Sequence, residues 1–323
     1  MIAPPRLHPP MTPLPPHHRR QWLQWAAASA AALALGRPAT AAAAVRLPPP
    51  KSITLFGARI RYTELGQRGA KPTLVLLHGL GSSARGDWGA VLADLARTHH
   101  VLAPDQLGFG ESDKPFIPYG IQTWVDFLGE FLREKRVGPF TLMGESLGGW
   151  IAARYTLQAL RGEAAGPSFV LPKPSKLVLC NSAGFRDTQL KSGDQPVGGP
   201  GLSVAGEKDL LARIFHSPAF NTEASIRGGL KWTLGKGDSH TISAVLGNAA
   251  MANEAVDGQL DGLTLPTLVV WGQHDRLIPL AMGERFAREI PGARLVVVPD
   301  AGHAPMIEAP AAFMAAVRGF LIS

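Results

Sequence analysis

The sequence predicts an α/β protein: a mostly parallel sheet covered by helices on both faces and interrupted once by a helical insertion. Three observations predict it. Short continuous apolar runs recur, among them Thr73-Leu74-Val75-Leu76-Leu77 and Lys176-Leu177-Val178-Leu179-Cys180, the pattern of strands buried on both faces. They alternate with helix-length amphipathic segments. The clearest is 121–135, where Ile121, Trp124, Val125, Leu128, Phe131 and Leu132 share one stripe. Finally, polar clusters rich in glycine follow the strand runs, at 78–81, 105–112, 144–148, 271–275 and 300–305. In a parallel sheet these strand ends lie on one side, which is where such sheets place their chemistry.

Taken in order, residues 1–44 do not read as fold. A proline-rich start leads to Arg19-Arg20, a short Ala/Leu run from Trp25 to Leu35, and an alanine tract ending at Ala44. A charged region, a short apolar region and small residues together form a secretory signal. The arginine pair resembles a twin-arginine export signal. The apolar run falls far short of the roughly 20 residues a spanning helix needs. The expectation is an exported protein, periplasmic or secreted, with no stable membrane span after processing. The net charge of +7 comes from 32 basic and 25 acidic residues. Arg6, Arg19, Arg20 and Arg37 fall in 1–44 with no acid, so the remainder is only mildly basic. No basic patch with interleaved aromatics points to nucleic acid.

The first part of the core is expected at 45–182. Residues 52–65 alternate around Gly57 and read as two strands with a tight turn. Strands then follow at 73–77 and 100–104, the helix at 121–135, a strand from Phe140, a helix at 147–161, a loop at 162–175 and a strand at 176–180. Residues 183–262 change composition. They begin rich in Gly, Ser and Asp, then carry helical patterns around Leu210-Leu211-Ile214-Phe215 and from Ser239 to Ala252, with no strand run. Residues 263–323 resume the core, with strands at 267–271 and 294–298 and a last helix at 310–321. The single cysteine, Cys180, excludes an intramolecular disulfide and reads as a buried strand residue. No Cys or His spacing suggests a zinc site.

The chain is organised around Gly144-Glu145-Ser146-Leu147-Gly148-Gly149, which lies between a strand-length run and a helix-type segment. G-x-S-x-G in that setting is a nucleophile elbow: a sharp turn presents the serine above the sheet edge, at a helix N-terminus whose amides face developing negative charge. His-Gly at 78–79, Asp105-x-x-Gly108-x-Gly110-x-Ser112, Trp271-Gly272-x-x-Asp275 and Gly302-His303-x-Pro305 complete the set. On these motifs, from about Ser52 to the C-terminus, the chain resembles the α/β-hydrolase superfamily. It looks most like the cap-bearing group that includes esterases, carbon–carbon bond hydrolases and cofactor-free haloperoxidases. The order serine, acid, histidine is that of this superfamily.

The resemblance implies three catalytic roles. A serine hydroxyl is a weak nucleophile without a base, so Ser146 attacks while His303 takes its proton and Asp275 orients His303. The implied oxyanion donors are the backbone N–H groups of Leu80 and Leu147. No metal or other cofactor is implied, and His78 and the 105–112 cluster are expected to be structural. Glu145 stays open between a role beside the nucleophile and none, as do Trp88 and Trp150 between pocket and packing. A serine elbow excludes dehalogenases and epoxide hydrolases, which use aspartate there. The main expectation is a hydrolase of small to medium carboxylic esters. Carbon–carbon hydrolysis of the meta-cleavage type, or perhydrolysis, is the alternative. The usual carbon–carbon elbow reads G-N-S-M-G-G with tryptophan after the histidine, and this chain has neither. Non-catalytic binding proteins also use the fold, but they typically lose a triad member, and all three are present here. The insertion is expected to roof the pocket and set substrate choice rather than the chemical step.

Overall fold

The computed structural model describes residues 47–69, 71–163, 170–186, 191–192, 195–196 and 203–323. The segment read as an export signal lies outside them. The first hairpin follows from two residues. Strands β1 (Lys51–Leu55) and β2 (Ala58–Leu65) are joined at Phe56 and Gly57, with φ of 48° and 81°. Two positive φ values suit a two-residue turn to the natural twist of a hairpin.

Six further core strands follow: β3 (Thr73–Leu77), β4 (Val101–Pro104), β5 (Phe140–Glu145), β6 (Lys176–Cys180), β9 (Thr267–Gly272) and β10 (Arg294–Val298). Strands β7 (Lys191–Ser192) and β8 (Gln195–Pro196) form a separate two-residue antiparallel pair inside the insertion, where no strand was expected. The main sheet has the order β1-β2-β4-β3-β5-β6-β9-β10. Its β1–β2 and β2–β4 pairings are antiparallel and the rest parallel. The fold is therefore an α/β-hydrolase fold, a mixed, mostly parallel sheet flanked by helices.

Alternation along the strands separates two apolar layers. Leu74 and Leu76, with Leu268 and Val270, pack against α1 (Ala84–Trp88), α2 (Leu92–Ala96) and α10 (Pro310–Ile322). Val75 and Leu77, with Val269 and Trp271, pack against α3 (Ile121–Glu134), α4 (Leu147–Arg161) and α8 (Leu280–Glu289). Helix α8 was not legible in the sequence, nor were the five-residue α1 and α2. Gly283 lowers the helix propensity of α8, yet a side chain there would strike the Trp271 ring at 2.7 Å. Close helix–sheet packing sets that position.

The insertion leaves β6 and re-enters at β9. It holds α5 (Val204–Ile214), α6 (Glu223–Lys236) and α7 (Asp238–Gly247). Ser203 and Thr222 start α5 and α6 by accepting from the amides of Gly206 (3.0 Å) and Ser225 (3.2 Å). Helix α7 presses on two core loops. Asp238 is fully buried, accepts from Gly110 N–H at 3.5 Å and pairs with Lys114 Nζ at 3.4 Å. Burial pushes its carboxyl above the usual range, and Lys114 opposes the shift. Further on, Asn248 donates to Tyr119 O (2.8 Å) and Glu254 accepts from the Gln122 amide in the first turn of α3 (3.0 Å). No described helix is long and apolar enough to cross a membrane.

Candidate active site

Ser146 joins β5 to α4 with φ 51° and ψ −116°. A non-glycine residue held there stores about 1–3 kcal/mol, so its surroundings must over-determine it. They do. Ser146 N–H donates to Cys180 O at 3.0 Å, and Ser146 O accepts from Gly149 (3.0 Å), Trp150 (3.2 Å) and Ala183 (3.0 Å). The flanking glycines are required by contact. A side chain at Gly144 would meet the Gly148 carbonyl, and one at Gly148 would meet the carbonyls of Leu77 and His78.

Leu147 is the first residue of α4, so helix geometry offers its N–H no acceptor. Leu80 lies in a turn closed by Ser82 N–H to Gly79 O (3.4 Å). Asp87 on α1 accepts from Gly79 N–H at 2.7 Å and from the Ser82 hydroxyl, which pins that turn beneath the elbow. His78 is structural: Nε2 accepts from Gln106 N–H (2.9 Å) and Nδ1 lies 2.8 Å from Gly79 O. Asp105 likewise holds its own loop, accepting from Ala84 N–H (2.8 Å) and Glu111 N–H (2.9 Å). Trp88 is packed in the core, while Trp150 Nε1 donates to Glu254 O at 3.0 Å.

Asp275 follows β9 and is buried. Its Oδ1 accepts from the amides of Leu277 (2.8 Å) and Ile278 (2.9 Å). Its Oδ2 accepts from Asn181 Nδ2 (2.7 Å) and lies 2.7 Å from His303 Nδ1. That contact places the ring proton on Nδ1 and leaves Nε2 as the basic nitrogen. Asn181, with φ 43°, also accepts from Gly272 N–H at 3.3 Å. Sequence reasoning missed Asn181; its place directly after the β6 run was the one signal that could have found it.

His303 Nε2 is buried and, among the described residues, makes no hydrogen bond to Ser146 or any other group. It faces Glu145 Oε1 at 3.2 Å. The elbow residue left open by the sequence is thus packed between the base and the oxyanion turn: a side chain at Gly79 would overlap Glu145 Oε2. Burial pushes the Glu145 carboxyl well above the usual range, and the neighbouring Asp87 and Asp275 add to it. Glu145 therefore holds its proton to higher pH than an ordinary glutamate.

The insertion reaches this site twice. Ile242 of α7 lies over the oxyanion turn, 3.0 Å from where a side chain at Gly81 would begin. After α5, the Ile214 carbonyl accepts from His303 N–H at 2.6 Å. The insertion was expected to roof the pocket; of its helical pattern around Leu210-Leu211-Ile214-Phe215, Ile214 and Phe215 pack, partly buried, against the layer that contains Ala301, Ala304 and Met306 beside His303. The insertion therefore touches the His303 loop as well as the turn at Gly81. Among the described residues, the one group able to hold a metal ion is His216, His274 and Asp300.

A family model described as alpha/beta hydrolase fold matches residues 72–310. A 2-hydroxymuconate semialdehyde hydrolase from a Pseudomonas strain is 31% identical over 278 residues, covering 83% of this chain and 92% of its own. Lipase 1 of Psychrobacter immobilis is 28% identical over 285 residues, covering 80% of each chain. Among solved structures, a 2-hydroxy-6-oxo-6-phenylhexa-2,4-dienoate hydrolase from a Rhodococcus strain superposes with a TM-score of 0.71. Its identity is 20%, covering 86% of this chain and 100% of that one, so it speaks for the fold alone.

Proposed function

The chain belongs to the alpha/beta hydrolase fold family, and on that premise we propose that it hydrolyses a carbon–carbon bond beside a carbonyl group, in a dienoate of the meta-cleavage type, with Ser146 as nucleophile. The observation that carries the hydrolytic reading is the 2.7 Å pair of His303 Nδ1 and Asp275 beside the strained Ser146. The choice of bond is supported by dienoate and semialdehyde hydrolases among the relatives.

In the proposed sequence, Ser146 Oγ adds to the carbonyl carbon as its proton passes to His303 Nε2. Negative charge gathers on the carbonyl oxygen, toward the amides of Leu80 and Leu147. Such donors are worth about 2.7–4 kcal/mol each. Collapse breaks the carbon–carbon bond. This requires that the substrate first ketonise, its 2-hydroxyl proton moving to the carbon that will leave; the departing electron pair then delocalises onto the 2-oxo oxygen, and the resulting dienolate takes its proton from the His303 imidazolium. Water, deprotonated by His303, then releases the acyl group. Ser146 must first rotate toward Nε2; apo geometry of this kind commonly tightens only with substrate bound.

Carboxylic ester hydrolysis is the second reading. The same machinery serves it, lipases are among the relatives, and Glu145, Leu147 and Ala304 depart from the carbon–carbon pattern. Purified protein should be assayed with a 2-hydroxy-6-oxo-dienoate and with p-nitrophenyl esters of graded acyl length. The proposal expects the dienoate kcat/KM to exceed that of the best ester by at least about tenfold; the reverse ranking establishes the esterase. Ser146→Ala should lower kcat on the preferred substrate by a factor on the order of 10⁶. Retained turnover in a folded Ser146→Ala protein would exclude Ser146 as the nucleophile.

A further inference from the structure

The geometry points to a transition-metal site at His216, His274 and Asp300, in which a divalent ion of the zinc class clips the insertion to the two loops that carry Asp275 and His303. One ring nitrogen of each histidine and one carboxylate oxygen of Asp300 lie within 4.8 Å of one another. The two rings stack with centroids 3.9 Å apart and 21° between planes. His216 Nδ1 is buried with no hydrogen-bond partner among the described residues. An unmet buried polar atom is costly, so the ring has an incentive to turn onto a ligand. Tetrahedral bonds of about 2.0–2.2 Å place neighbouring donors roughly 3.3 Å apart. Turning the two rings out of their stack, with donor shifts of up to about 1.5 Å, would close the set.

The backbone already holds the ligand-bearing segments together. Glu308 accepts from His216 N–H (3.2 Å), Ser217 N–H and Gly302 N–H (2.6 Å). His274 N–H donates to Ala301 O at 2.9 Å. Asp300 has φ 51°, a turn conformation that aspartate tolerates better than most residues. Two imidazoles and one carboxylate suit zinc and its neighbours, not magnesium or calcium, which take oxygen ligands. No spacing motif announces the site, because its residues come from three distant segments. His216 belongs to the insertion, His274 adjoins Asp275, and Asp300 lies on the turn leading to His303. A bound ion would fasten the insertion over the triad.

The test needs no substrate, so it stands or falls separately from the proposed reaction. Metal-free protein lacking any histidine tag should be titrated with ZnCl₂ by calorimetry and followed by thermal unfolding. One equivalent should bind with a Kd in the micromolar range or tighter and raise Tm, and MgCl₂ should do neither. His216→Ala, His274→Ala and Asp300→Asn should each weaken binding at least about tenfold, and His240→Ala should leave it unchanged. Metal-free Tm values and far-UV spectra show that each variant is folded. The visible spectrum of the Co²⁺-loaded protein gives a second reading: tetrahedral ligand-field bands in the wild type, lost in His274→Ala. Absence of saturable Zn²⁺ binding overturns the proposal. So does one-equivalent binding that survives all three substitutions.

Discussion

Glu145 separates two protonation states of the site. Burial, with Asp87 and Asp275 nearby, raises its pKa well above the usual range, so the neutral carboxyl persists to higher pH than an ordinary glutamate's. A carboxylate formed 3.2 Å from His303 Nε2 would favour the imidazolium, a poor base, and would oppose charge at the adjoining oxyanion turn. As pH rises through the raised Glu145 pKa, kcat/KM should therefore fall in the wild type. Glu145→Gln, which resembles the neutral acid, should keep activity within a few-fold at pH 7 and lose the alkaline limb; an identical limb in both proteins would refute this assignment. Asp275→Asn should lower kcat by about 10²–10⁴, as measured by single-turnover kinetics, because an amide cannot hold His303 in the same tautomer. A silent Asp275→Asn would remove Asp275 from the orienting role. Ser146, Asp275 and His303 were legible because each follows a strand with a recognisable cluster. Asn181 and the setting of Glu145 were not, since a lone polar residue after a strand looks the same whether or not another strand end meets it.

At the scale of elements, Glu308 on α9 (Pro305–Glu308) links the insertion to the histidine loop through three amides of His216, Ser217 and Gly302. Glu308→Gln removes the charge and one acceptor, so stability should drop by about 1–3 kcal/mol. Amide exchange should accelerate in 203–220, and kcat and KM should both shift. Unchanged exchange there, measured by mass spectrometry, would show that Glu308 does not hold the insertion down. The strands and the helices α3, α4 and α10 could be read from periodicity because each buries a continuous apolar face. Helix α8 resisted because its Gly283 is chosen by the Trp271 ring beneath it, a tertiary demand that outweighs local propensity. The helical pattern around Ile214 and Phe215 was legible, and both are partly buried, but periodicity says only that a face is covered and not by what.

Across the whole molecule, acid lability should be concentrated at the antiparallel edge of the sheet. Burial alone would raise the Glu64 pKa, but hydrogen bonds from Lys51, His100 and Lys135 outweigh it and bring it to about 2. The folded pKa thus lies below the unfolded value, so the contribution is fully present above about pH 4.5 and is lost as pH falls toward 2. By linkage the shift sets an upper bound of about 3 kcal/mol, which solvent screening at this edge reduces to about 1–2 kcal/mol. Glu64→Gln should therefore be clearly less stable than the wild type in urea at pH 7, and the gap should narrow near pH 3; a gap that does not depend on pH would contradict the linkage. A different constraint follows from the hydrogen bond between His303 N–H and Ile214 O. Both partners are main-chain atoms, so substitution at position 214 leaves the bond intact as long as the path of the backbone is kept. Selection on side chains is thereby relaxed at this junction while selection on loop length is tightened. An insertion grafted from a relative would have to return a carbonyl to the same point in space, and a graft one residue too long would give an enzyme with an intact pocket and a displaced base.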